Sequence, residues 1–201
     1  WPPDLLARVD AILDERPDLT ALTTRVETVP RCDVDGGPVN RRTLFGRAVE
    51  FTMFLRRELV ADLRYDEQMG VGAGTPWGAD EGPDLMLRML ARGLTIEYFP
   101  DICIYHPDPA LQPAERLLSR TMSYSRGRGY LYRKHGYSWL TVGNSLIRSL
   151  GGSILMLLSG RVTKARVYWR AFWGKLIGYV TAGKPPAQTV SSPLVAETRP
   201  A

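Results

Sequence analysis

Asp80, Glu81 and Asp84 place three carboxylates within five residues, directly behind a loop that carries four glycines between positions 70 and 78. Carboxylates in that setting can take the proton of a hydroxyl nucleophile. His106, some twenty residues further on, can hold a divalent ion or a phosphate oxygen. The same residue types also have plainer uses. Acids in a first helical turn are favoured by the helix dipole whatever the function, and a single histidine at a strand end serves packing as readily as ligation.

The elements that must position these groups follow from patterning. Residues 81–91 predict a helix: Glu81 or Pro83 opens it, Leu85, Met86, Met89 and Leu90 form its apolar face, and Gly93 stops it. Residues 95–99 and 102–105 predict two short strands, split by Pro100 and Asp101. Upstream, the pattern predicts a helix over 4–15 ended by Pro17, a strand over 21–29, a loop over 31–42, a buried strand over 48–55 and a short helix over 57–63. This alternation argues for an α/β fold. From Ala114 the texture changes to three long helices, over 114–135, 139–159 and 161–181, and the Pro-, Ser- and Thr-rich residues from Gly183 predict a disordered tail.

Transferring a sugar from a nucleotide to a hydroxyl needs a carboxylate base, neutralisation of the leaving diphosphate, and positioning. The order of the pieces fits that chemistry. Phe54-Leu55-Arg56-Arg57, Tyr65-Asp66-Glu67, the glycines from Gly70 to Gly74, the acidic stretch at 81–85, Arg88, Gly93, Tyr98-Phe99-Pro100 and His106 form one series. No member is specific, but the ordered series resembles the acceptor-side part of an inverting family 2 glycosyltransferase, over about residues 1–135.

The resemblance implies an α/β, partial GT-A (Rossmann-like) domain over 1–110, a basic amphipathic helical region over 111–182 and the tail over 183–201. It implies a nucleotide-sugar donor, a lipid-linked or saccharide acceptor, and a divalent metal (Mg or Mn) held together with an Asp-x-Asp motif. In the family that motif precedes the segment similar to residues 1–27; Asp33-Val34-Asp35 falls after the expected place, and the chain opens on Trp1. The expectation is therefore half of an active site, a fragment or processed product. The family's acidic motif reads Glu-Asp-x-Asp-Leu, with the Asp after the Glu as usual base, but that position is Gly82 here. The base role then falls to Glu81, with Asp80 as substitute, while Asp84 is placed to orient the helix or pair with Arg88 four residues on. Gly74, Thr75, Pro76 and Trp77 are expected to line the acceptor pocket, with Trp77 stacking on a sugar or simply packing, and Arg88 to contact substrate. His106 is the implied metal ligand, with diphosphate contact or structural use as alternatives. The Gln-x-x-Arg-Trp run of processive members is missing from 107–140, where RTMSYSRGRGYLYRKHGY is similar to non-processive relatives. A single-sugar transfer is implied.

Charge divides the chain. Residues 1–111 hold 12 Lys/Arg against 19 Asp/Glu, whereas residues 112–190 hold 13 Lys/Arg against Glu115 alone. A basic, Trp- and Tyr-bearing helical region suits an anionic membrane surface, which predicts a cytoplasmic protein peripheral to the inner face of the cell membrane. A bilayer span needs about 20 mostly apolar residues, and the uncharged run 149–160 has 12. Two other readings are weighed. A nucleic-acid binder would use SRGRGYLYRK, but the acidic front half argues against it, and no nucleic-acid partner is expected. A non-catalytic membrane-surface adaptor derived from a glycosyltransferase is the stronger alternative. Cys32 and Cys103 form no ligand pattern, and read as inert thiols of a reducing compartment.

Overall fold

The computed structural model describes residues 2–27, 35–47, 49–106 and 113–183. The expectations that fall on Trp1, Cys32, Asp33-Val34, Ala48, Pro107 and the tail from 184 lie outside the described residues.

Two long strands make the centre of a mixed α/β structure. β1 (Leu19–Val26) runs parallel to β4 (Thr95–Ile104), with the two-residue strands β2 (Gly37–Pro38) and β3 (Phe54–Leu55) antiparallel at the edges, in the order β2-β4-β1-β3. Every residue of β1 except Arg25 is buried, as expected for a parallel strand covered on both faces. On one face lies α1 (Leu5–Glu15), whose Leu5 and Val9 pack on Leu19, Leu22, Ile102 and Ile104. Arg56 ties α1 to the sheet, donating hydrogen bonds to the carbonyls of Leu13 and Leu19. On the other face lies α4 (Glu81–Ala91), through Met86, Leu87 and Met89.

Two expectations about this front part change. Residues 95–104 form one ten-residue strand rather than two. The register against β1 jumps from Thr24 opposite Phe99 to Arg25 opposite Cys103, so Pro100, which has no amide to donate, is carried in a bulge while the strand continues. The predicted buried strand over 48–55 is instead a 3-10 turn, Glu50–Thr52, followed by β3. The Thr52 Oγ1 lies 2.8 Å from Val49 O and 3.1 Å from Thr24 O of β1, and accepts from the Thr24 amide, drawing the chain into a tight bend. That bend turns Glu50 toward α4.

The short helices α2 (Leu44–Arg47) and α3 (Arg57–Val60) connect these pieces. Behind them stand α5 (Ala114–Lys134), α6 (Trp139–Leu158) and α7 (Val162–Thr181). A single apolar cluster crosses residue 111, joining Leu131, Tyr132, Tyr137, Val142 and Tyr179 to Leu44, Met86, Met89 and Ile96. The glycines of SRGRGY have a packing use. A Cβ added at Gly127 would stand 2.4 Å from the Ala79 carbonyl oxygen, and one at Gly178 of α7 2.1 Å from that of Arg126. α5 is thus pressed backbone-to-backbone against both the glycine-rich loop and α7.

Candidate functional site

Four carboxylates gather around the start of α4, and they are treated in two ways. Asp80, the residue before the helix, sits in the left-handed region at φ 72°, which Asp tolerates better than most side chains. From there its carboxylate turns away from the helix amides and accepts from Arg128 of α5, Nε at 2.5 Å and Nη2 at 2.9 Å. The Arg128 guanidinium also lies 3.9 Å over the Phe45 ring. Burial alone would favour loss of its proton, but the Asp80 charge and hydrogen bond outweigh this and hold it more firmly.

Asp84, one turn on, is fully buried. Its Oδ1 meets Lys134 Nζ and His135 Nε2, each at 2.7 Å, and its Oδ2 accepts from Arg88 Nε at 2.9 Å. Burial pushes its pKa up, but the bonds from His135 and Lys134 and the charges of Lys134 and Arg88 more than reverse that, leaving the carboxyl at about 2. Arg88 is committed inside the fold as well, its Nη2 donating to Arg64 O at 2.6 Å.

Glu81 meets no cation among the described ion pairs and faces a second carboxyl group, that of Glu50. Gly82 makes this approach possible: a Cβ built there would fall 2.6 Å from Glu50 Cβ and 3.1 Å from Glu50 Cδ. The side chain of Glu50 therefore occupies the space that a residue other than glycine at 82 would need. Glu50 is half-buried, and that burial, with the charge of Glu81, pushes its pKa up to about 7 although the Tyr65 hydroxyl bonds to it. The roof over Glu81 is Gly70, where an added Cβ would lie 2.8 Å from the Glu81 carboxyl.

The loop beyond Gly70 is folded back on itself. Gly70 donates to Trp77 O at 2.9 Å, and the Thr75 hydroxyl donates to Gln68 O at 2.6 Å. Trp77 stacks on Tyr130 of α5 with ring centres 4.2 Å apart. Pro76 is exposed, and Gly74, at φ 70°, has open space around its Cα. Between this loop and α5 lies an open cleft of about 590 Å³, lined by Gly70, Gly72 and Thr75 on one side and by Arg116, Arg120 and Ser123 on the other.

His106 stacks on Phe51, ring centres 4.8 Å apart, and so lies beside the turn that carries Glu50. Among the described residues no three His, Cys, Asp or Glu side chains converge as a metal-binding group. His106, the residue the resemblance offers as a ligand, does not by itself fit a Mg or Mn ion, which prefers an octahedral set of oxygens.

The structure brings Glu81, Trp77 and the glycine-rich loop together and places Asp80, Asp84 and Arg88 in internal ion pairs. Sequence reading missed Glu50 and the two cleft arginines. The departure at Gly82 was the available signal for Glu50, because an absent side chain in an acidic motif leaves room for another. Arg116 and Arg120 were visible only as members of a generally basic helix. Comparison with protein-family models, with curated proteins and with solved structures finds no match.

Proposed function

We propose that this chain carries the acceptor side of an inverting glycosyltransferase, with Glu81 as base and Glu50 as its proton-sharing partner. The observation that carries the reading is the Glu50–Glu81 pair, two carboxyl groups with no counter-cation among the described ion pairs, beneath a glycine-rich loop and beside the Trp77–Tyr130 stack. A carboxyl group whose pKa is raised by burial and by a neighbouring carboxylate is an arrangement that acid–base catalysis uses. In the proposed step Glu81 takes the proton of the acceptor hydroxyl while the hydroxyl oxygen attacks the anomeric carbon. The bond from that carbon to the nucleoside diphosphate breaks, and the diphosphate departs with the electron pair. The indole face of Trp77 suits an acceptor sugar ring. Asp80, Asp84 and Arg88 position α4.

The test is Glu81→Gln in the protein as it occurs in its source cells, assayed with a panel of radiolabelled nucleotide-sugars and source-cell membranes as acceptor. Turnover should fall by about 10²–10⁴-fold with donor binding retained. Unchanged turnover would remove the assignment.

The helical hairpin supports a peripheral membrane location, which the non-catalytic adaptor reading shares. α6 is 20 residues long with mean hydropathy 1.2 and is mostly exposed. Length and composition would allow a span, but Arg148 sits mid-helix, at a cost of about 2.5–3.5 kcal/mol at a bilayer centre. Leu140 and Leu158 are more than four-fifths exposed, and Arg161, Lys164, Arg166 and Arg170 are exposed nearby on α7 and the turn before it. Deleting the hairpin would strip Val142 and Tyr179 from the core, so point changes are the sounder test. Leu155→Glu with Leu158→Glu should abolish flotation with anionic vesicles while leaving the fold intact; undiminished flotation would refute the location.

A further inference from the structure

We infer that the cleft between the glycine-rich loop and α5 is a binding site for a phosphate-bearing ligand, held by Arg116 and Arg120. Binding stands by itself; the assignment of that ligand as the acceptor rests on the glycosyl-transfer reading.

Residues 116, 119, 120 and 123 fall on one face of α5, and that face is turned to the loop, because Gly78 donates from its amide to Ser123 O across the gap at 3.3 Å. The opposite face of α5 is spent on α7, through the glycine contacts described above. The cleft volume, about 590 Å³, lies in the range of small-molecule sites.

Its chemistry is one-signed. Two guanidinium groups and the hydroxyls of Ser119 and Ser123 line it, and among the described residues no carboxylate does. Among the described residues neither arginine has a carboxylate partner within ion-pair distance. Arg16, Arg88, Arg92 and Arg128, by contrast, are paired with acids. Arg120 is nevertheless held in place, its guanidinium 4.7 Å over the Tyr124 ring. Two planar forks a helical turn apart, one pre-oriented by an aromatic ring and both backed by hydroxyl donors, match the oxygens of a phosphate or diphosphate. The location adds a role. Gly70 lines the cleft and also roofs the Glu81 carboxyl, so a phosphate seated on the arginines would bring the remainder of its molecule toward the carboxyl pair.

The phosphate could belong to a soluble diphosphate or to a lipid headgroup, and the test separates these by titrating the purified protein calorimetrically with inorganic pyrophosphate and with dodecyl phosphate. Both should bind if the phosphate alone is recognised; a much tighter dodecyl phosphate points to a lipid source. The Arg116→Ala/Arg120→Ala variant should weaken binding about 100-fold, and the corresponding double Lys variant less, since charge is kept while the fork is lost. Circular dichroism of each variant confirms folding. Absence of binding for both probes at millimolar concentration, or binding unaltered by the double Ala change, would overturn the inference. Glu81→Gln should leave phosphate binding unchanged. If Glu81→Gln kept full turnover while the arginine variant lost phosphate, the catalytic reading would fall and this site would stand.

Discussion

Two pairs of carboxylates flank the same helical turn, and the fold spends very different resources on them. Asp80 and Asp84 receive Arg128, Arg88, Lys134 and His135, brought from as far away as the end of α5. Glu50 and Glu81 receive each other and a tyrosine hydroxyl. A buried acid matched with cations keeps its charge, whereas a half-buried acid set beside another carboxyl group holds its proton more firmly, and its charged form costs stability. Evidence that a protein tolerates the second arrangement is the better pointer to chemistry.

The largest expected effect lies on the compensated side. Asp84→Asn would remove the carboxylate partner of Arg88 and leave Lys134 with Asp66 alone, and should destabilise the fold by about 3–5 kcal/mol in urea unfolding. The pH dependence follows from the depressed value. Asp84 titrates at about 2 when folded, against 3.8 ordinarily, so its stabilisation is complete above about pH 4 and is lost as pH falls toward 2. The Asn variant should lack that acid-dependent component. If Asp84→Asn unfolded at the same urea concentration as the parent, the contrast between the pairs would be broken.

A smaller effect of opposite sign is expected on the other side. Glu50 is raised to about 7 from 4.5, so its contribution to stability declines as pH rises from about 4.5 to 7 and stays unfavourable above. Glu50→Gln should therefore match the parent in thermal midpoint near pH 4 and exceed it at pH 8. A variant that is less stable than the parent at pH 8 would mean that the pair is compensated after all.

How much of this could be read in advance depended on whether the interaction was local. The helix over 81–91, its Asp84–Arg88 pair and the three long helices were legible to within a residue or two, since apolar periodicity, glycine stops and i,i+4 spacing are carried by neighbouring positions. The Arg/Gly/Tyr run was legible as a motif but not as packing, because its glycines matter only against the backbones of Ala79 and α7. Glu50 was hidden for a similar reason. An apolar-looking stretch was read as a strand, whereas the side chain of Thr52 bonds to β1 and bends it. His135 and Lys134 reach Asp84 across some fifty residues of sequence, a distance over which spacing carries no information.

The measurement that bears most directly on the account is the carboxyl titration of Glu50, followed by carbon-13 NMR in the parent and in Glu81→Gln. An uncompensated pair predicts that Glu50 titrates near pH 7 in the parent and moves clearly toward the ordinary glutamate range once the charge at 81 is removed. A Glu50 that titrates near 4.5 in both proteins would contradict the pairing, and with it the case for a base at this turn.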